Sequence, residues 1–561
     1  MRFRTIFVFV ALVAVLSLLA AQCGAPPPTP EKVVETVVVK EEVEIIVTKE
    51  VEVEKEVEVI VTKEVEVEVE VEKEVVVTVE VPVEVPAEAE PAEIVVVVPE
   101  EPPDLDWGYV GLSHLPITRN VYETLVTRDA EGALAPELAE SWEQVDDYTW
   151  RFKLREGVTF GDGTPFNAEV AAWNLNTLSD PELNKHVFPN LAQQYDAQAV
   201  DEYTLEVTAT EDPDPIMPRR LYWVLITTPA AVEADPELQS MVGTGPYMLD
   251  TWNKGESFVL VANPNYWGGE PEIKKVTFVF RSESSVRAAM VQAGEADIAA
   301  WLAPQDSGPI QTLGAHIPET PFMRMDPYPP LDDIRVRRAI CLAMDRDAIA
   351  AQIFAGYAVP ASQVITPDVV GYNPDIPVTP YDPEAARALI DEARADGVPV
   401  DKELTIIGRY GIYPNATENM EAMQAWLTEI GLNVKLQMLE TSAWIDQVLE
   451  KPQPPDRLGL LQSSHGNEAG DGILTLLGYY RSDALQNCFP DDNMDEMIAE
   501  AQVLTGEERA AAIAEALAYV HDNIVQDCPM VHIQALWGVS GRLDWTPRFD
   551  NLVLVKTAKI K

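Results

Sequence analysis

The chain is poor in positive charge, histidine, cysteine and long apolar runs, and each shortage narrows what it can be. Only 40 Lys and Arg stand against 93 Asp and Glu, a formal net charge of -53. That balance argues against a nucleic-acid partner and against binding of anionic lipid by the body of the protein. The six histidines, His114, His186, His316, His465, His521 and His532, form no HExxH and no close cluster with cysteine, so no metal site is expected. There is no GxSxG nucleophile elbow, and SSHG around His465 sets serine beside histidine without an oriented third group. GTGPY at 243–247 has two glycines but not the spacing of a phosphate loop. The abundant carboxylates reflect overall acidity and carry no catalytic signal. The expectation is therefore a non-enzyme without a cofactor.

At 561 residues and 47 % apolar content the chain is long enough for two or three domains with substantial cores. Its beginning reads as a secretory signal over 1–22: Arg2 and Arg4 precede the apolar run IFVFVALVAVLSLLAA. The following Gln22 and Cys23 resemble the end of a bacterial lipoprotein signal, which makes Cys23 the candidate lipidated residue and membrane anchor. Gln22 replaces the small residue usual before that cysteine. No later segment is apolar over the roughly 20 residues a span needs. An extracytoplasmic compartment permits disulfides. Cys341, in the helical pattern RRAICLAMDRDAI, reads as a buried thiol, whereas Cys488 and Cys528 are candidates to pair.

Between Glu31 and Glu100 there are 22 Glu and six Lys but no Asp, Arg, Gly or aromatic residue, and IVTKEVEVE occurs at 46–54 and again at 60–68. Alternation with period two is a strand signal, and valine favours it. The polar face, however, is nearly all one charge, which opposes pairing. The tract over 23–103 is read as an extended spacer, with self-pairing into β-ribbons as the alternative. Prolines 82, 86, 91, 99, 102 and 103 punctuate its exit, and the body is expected to begin near Asp104.

The body mixes strand and helix signals. YTWRFKLREGVTF at 148–160 alternates and runs into the turn GDGTPF; NAEVAAWNLNTL follows with helical spacing and Asn167 as its cap. IKKVTFVF, SESSVRAAMVQAG and EADIAAW form a strand, helix and strand, as do LTIIGRY, the helix around 418–430 and LNVKLQML. Such units indicate α/β domains. In RVRRAI, Arg335 and Arg338 lie three apart near Asp332 and Asp333, a pattern for ion pairs at a helix start.

Seven ordered stretches resemble the bacterial extracellular solute-binding proteins of family 5, the peptide and nickel class of ABC importers. They are NVYETLVTRDAEGALAPELAESWEQVDDYTWRFKLREGVTFGDGTPFNAEVAAWNL, VGTGPYMLDTW, NPNYWGGEPEIKKVTFVF, LDDIRVRRAICLAMDRDAIA, YDPEAARALIDEA, MEAMQAWLTEIGLNVKLQMLE and GEERAAAIAEALAYVHDNIVQDCPMVHI. The resemblance implies a type II periplasmic-binding fold of two closing lobes with an inserted subdomain. Lobe one would comprise 104–137, 228–324 and 528–561, the insert 138–227, and lobe two 325–527. It also implies capture of a small peptide and delivery to a permease with separate ATPase subunits, by a monomeric body. Nickel chelates, oligosaccharides or opines are alternative solutes, and a tethered sensory or cell-surface role is the alternative outside transport. Relatives meet the ligand amine with a lobe-two carboxylate. Carried onto SSHGNEAGDGILTLL, that role falls to Asp471, then Glu468, with His465 and Asn467 flanking. Trp107, Tyr109 and Trp301 are expected to wall the ligand, with ordinary packing as the competing reading for Trp107 and Trp301.

Overall fold

The computed structural model describes residues 36–37, 77–78 and 92–561, except 109–113, 131, 184–190, 192, 236–239, 309, 449 and 468. The signal, Cys23 and nearly all of the Val/Glu tract lie outside the described residues. The chain divides into two units, 1–90 and 91–561. In the first, Thr36–Val37 pairs antiparallel with Val77–Thr78.

The second unit opens with β1 (Glu93–Val98), β2 (Val126–Arg128) and β3 (Leu134–Pro136). Next come β4 (Ala139–Gln144), β5 (Thr149–Leu154), β6 (Tyr195–Asp201) and β7 (Thr204–Ala209). Then follow β8 (Tyr247–Asn253), β9 (Ser257–Ala262), β10 (Lys275–Phe280), β11 (Ile298–Ala299) and β12 (Gln311–His316). The remaining long strands are β13 (Glu319–Met325), β14 (Ala358–Pro360), β15 (Glu403–Arg409), β16 (Asn433–Leu439), β17 (Gly459–Gly466), β18 (Asp527–Pro529) and β19 (Val531–Val539).

Lobe one is an eight-stranded sheet of order β8-β9-β10-β1-β11-β19-β12, with β14 added on β19. Its centre corrects the expected start of the body at Asp104. β1 lies parallel to both β10 and β11, and Ile94, Val96, Val97 and Val98 are buried. The physical difference from the tract is local: EIVVVV is a continuous apolar run, the pattern of a strand covered on both faces, whereas the preceding residues alternate with glutamate.

The insert is an antiparallel sheet of order β4-β5-β7-β6. Its inward residues Phe152, Leu154, Leu205 and Val207 alternate with outward polar ones, and the helix Ala168–Leu178 covers it. Asn167 caps that helix through Val170 N–H at 3.0 Å.

Lobe two carries the sheet β16-β15-β17-β13-β18, in which β15 is parallel to both β16 and β17. Helices Ala416–Glu429 and Thr441–Val448 make the crossovers. Asp333 caps the helix Ile334–Leu342 and pairs with Arg335 at 2.7 Å, the ion-pair role expected of RVRRAI.

Two short connections run directly from a strand of one lobe's sheet to a strand of the other's. Residues 317–318 connect β12 to β13, and Met530 alone connects β18 to β19. Thr320 Oγ1 and His532 Nδ1, 2.8 Å apart, tie the two crossings together. Beside them the cysteine expectation is corrected: Cys341 bonds Cys528, with Cα atoms 5.3 Å apart, and Cys488 is a buried free thiol. Helix Ile334–Leu342 packs on β18 and brings Cys341 to that distance, although 187 residues separate the two in sequence.

Three of the resembling stretches meet at one buried carboxylate. Glu123, from NVYETL, accepts hydrogen bonds from Thr244 of GTGPY at 3.0 Å and from Tyr266 and Trp267 of NPNYWGG at 2.7 Å each. A Cβ on Gly243 would stand 2.0 Å from Val121 O, so glycine there permits the close backbone contact. The C-terminal stretch NLVLVKTAKI contributes only Lys559–Ile560 to a strand. Asn551 turns with φ 57°, and the side chain of Asn120 satisfies Val553 O and Val555 N–H at 2.8 Å each, in place of a neighbouring strand.

Candidate functional site

In open α/β sheets, ligands bind beyond the carboxyl ends of the strands. Here β1 and β11 end at Val98 and Ala299 on lobe one, with Glu100 and Trp301 two residues beyond, and the parallel pair β15 and β17 ends at Arg409 and Gly466 on lobe two. The two ends are drawn together at two places. Gln305 of lobe one and Asn415 of lobe two exchange amide hydrogen bonds at 3.0 and 3.1 Å. Farther along, Arg128 of β2 donates to Ala469 O, and Arg219 donates to Ala469 O at 3.2 Å and Gly470 O at 3.4 Å. The carbonyls of Ala469 and Gly470 in lobe two are thus held by arginines from lobe one and from the end of the insert. These contacts link the two lobes directly.

Inside that loop the expected ligand groups are occupied by one another. Asp471 is 2 % exposed, pairs with Arg509 at 3.2 Å, and caps the following helical turn through Ile473 N–H at 3.1 Å. Its carboxylate is thus engaged within lobe two by Arg509 and the Ile473 N–H. Asn467 donates to Asp471 O and Thr475 Oγ1, both at 3.0 Å. His465 Nε2 lies 2.7 Å from Thr475 Oγ1, its ring stands edge-on to Tyr479, and burial pushes its pKa down to about 4. These residues shape the loop. Trp107 is buried and stacks on Trp173 with ring centres 5.9 Å apart, which is the packing reading. Glu468 and Tyr109 lie outside the described residues.

Trp301 follows β11 and packs against the main core. It is half-buried with φ 52°, a backbone state costing a non-glycine residue about 1 kcal/mol. Arg287 holds it there, donating to Ala300 O at 2.9 Å and Trp301 O at 2.6 Å.

Arg409 is the residue missed in the sequence. It ends β15, is half-buried, and lies over the Trp444 ring at 5.5 Å. Desolvation lowers its pKa, while Glu100 from lobe one and Glu319 from the hinge strand oppose that shift. The available signal was its place as a charged residue at the end of the apolar run LTIIGR. Among the described residues no cluster of His, Cys, Asp or Glu could hold a metal ion, and no helix is long and apolar enough to cross a membrane. A cavity of about 260 Å³ lies within lobe two, walled in part by Cys341, Tyr480, Leu517 and Asp527, and not between the lobes.

Comparison with known proteins agrees with this geometry. The Escherichia coli K12 glutathione-binding protein GsiB is 28 % identical over 388 residues, 65 % of this chain and 73 % of that protein. The fold is shared with NikA from Brucella suis, solved with Fe(III)-EDTA, at a TM-score of 0.74 and 23 % identity over 84 % of this chain and 100 % of that one. It is also shared with the E. coli murein tripeptide binding protein MppA, at 0.72 and 22 % over 84 % and 99 %. Residues 133–468 match the model described as bacterial extracellular solute-binding proteins, family 5 Middle. With the two-lobed clamp, the inserted sheet and this match together, the chain belongs to the bacterial extracellular solute-binding proteins of family 5.

Proposed function

We propose that this family 5 protein is a lipoprotein anchored through Cys23, which captures small peptides outside the cytoplasm and hands them to an ABC permease and its ATPase subunits. The observation that carries the reading is the paired set of cross-lobe contacts, Gln305 with Asn415 and Arg128 and Arg219 with the 469–470 carbonyls. These bonds exist only when the lobes meet, so a solute that favours the closed state shifts the population toward it. A peptide is favoured as the solute by the kinship with a glutathione-binding protein and by the shared fold of a murein tripeptide binding protein. The role is binding and presentation, not catalysis, and the body acts as a monomer. The loop between β17 and Gly472 carries no free carboxylate among its described residues, so amine recognition differs from that expected of Asp471.

Native mass spectrometry of gently purified protein tests the reading. A retained mass that fragments as a short peptide is the expected result. A retained sugar or metal chelate overturns the peptide assignment while leaving solute capture in place.

A further inference from the structure

The cavity of about 260 Å³ in lobe two lies where helix Ile334–Leu342, helix Pro383–Ala395 and the end of helix Gly506–Tyr519 meet β18. Leu342, Val364, Leu389, Leu517, Val520 and Val525 supply its apolar walls. One wall is built from irregular backbone. Helix Gly506–Tyr519 runs on into a π-helical turn, Val520–Ile524, and Val525 then takes a φ of 51°. Such turns recur at functional sites, and a left-handed conformation strains a β-branched residue. Arg337 holds the turn in place, donating to Ile524 O at 2.9 Å and Val525 O at 3.1 Å.

The polar groups around the cavity are engaged with partners within the protein. Tyr480 OH donates to Asp527 Oδ2 at 2.8 Å. Gln363 Nε2 donates to Asn373 O at 2.8 Å, and Gln363 Oε1 accepts from Asn373 N–H at 3.2 Å. Toward solvent, Arg338 Nη2 donates to Asp522 O at 2.7 Å, and His521 Nδ1 lies 2.8 Å from Asp522 Oδ1. A guest that needs hydrogen bonds must displace one of these, and a buried charge without a partner is costly. Asp522 and Asp527 also oppose an anion, and Arg338 a cation. Size points the same way as charge: an aliphatic cavity of about 150 Å³ takes up benzene, so this one is large enough for a bicyclic ring.

We propose that this cavity is a second binding site, separate from the solute cleft, for a small neutral and mainly apolar molecule of one or two rings. The assignment does not depend on which solute the lobes capture. Asp527 and Pro529 of β18 line the site, and Met530 alone joins β18 to β19, so the guest packs against the strand that carries one connection between the lobes.

Isothermal titration of the full protein with indole, indoleacetate and tryptamine tests this on wild type, V364F and L389W. Indole should bind wild type saturably, and the two charged analogues at least about 10-fold more weakly, because the walls offer a charge no free partner. V364F and L389W fill the cavity from two of its walls and should each weaken indole at least about 10-fold; circular dichroism and urea midpoints establish that they fold. Crystals of wild type soaked in bromoindole give a readout that needs no variant, with the bromine expected among Leu342, Leu389 and Leu517. Absence of saturable indole binding, charged analogues that bind as tightly as indole, unchanged indole affinity in the folded variants, or bromine found only between the lobes would each overturn the site.

Discussion

Replacing Asp471 with alanine separates two roles for this carboxylate, because a ligand anchor and a structural ion pair respond differently. The side chains of Asp471 and Arg509 are 2 % and 5 % exposed, and their bonds run from Nε to Oδ2 at 3.2 Å and from Nη2 to Oδ1 at 3.3 Å. Unit charges about 4 Å apart at an effective dielectric of about 20 attract by roughly 4 kcal/mol. Removing one member of such a pair leaves the other buried and uncompensated, at about 3–5 kcal/mol. Loss of the cap on Ile473 N–H adds about 1 kcal/mol. In D471A, Arg509 keeps only the carbonyls of Ala501, Gln502 and Leu504 around Nη1. Urea unfolding followed by tryptophan fluorescence should therefore show a loss of about 4–6 kcal/mol. The double variant D471A/R509A should fall short of the summed single losses by about 2 kcal/mol, since neighbours in one network do not add. Titration should show free-amine and amine-blocked peptides weakened alike, because the loop gripped by Arg128 and Arg219 is what has changed. A cost below about 1 kcal/mol with selective loss of free-amine peptides would refute this reasoning and restore the anchor role.

Reduction of the protein, or C341S, should cost about 3–5 kcal/mol, as a bond closing so long a loop restricts the unfolded chain strongly, whereas C488S should cost less. Urea midpoints with and without reductant check this, and equal midpoints for the two variants would contradict the observed pairing. The clamp contact predicts that Q305A weakens solute binding by about 2- to 10-fold through loss of a modest neutral hydrogen-bond pair, with unchanged stability; small-angle scattering should show fewer closed molecules at equal ligand. Stability should also fall on acidification from pH 6.5 to 5. Burial holds His465 and His532 down at about 4, so the unfolded chain takes up protons that the folded one does not, and stability declines as pH drops through that window. Burial raises Asp527 to about 6, which works the other way: its neutral form stabilises the fold at low pH, and that stabilisation is lost as pH rises through about 6. Two histidines against one carboxylate leave a net loss of roughly 2–3 kcal/mol, and urea midpoints that rise on acidification would contradict it.

Much of the architecture is legible along the chain because it depends on neighbours in sequence. The alternation in YTWRFKL, the cap at Asn167 and the strand, helix and strand units each specify a local state, and ordered motifs point to the family. β1 was legible too, in the change from alternating to continuous valines, yet the prolines around it suggested a linker. The site was less legible. Asp471 and Arg509 are 38 residues apart, and only folding shows that they neutralise one another.

By itself, then, the sequence determined an acidic α/β chain with a low-complexity tract and the pattern of a solute-binding clamp, because periodicity, turn chemistry and charge balance act over short range. Tertiary structure alone decided which carboxylates were already paired and that Cys341 meets Cys528. Partnership is a property of space: a charge is available to a ligand only if no residue brought beside it by the fold has claimed it first.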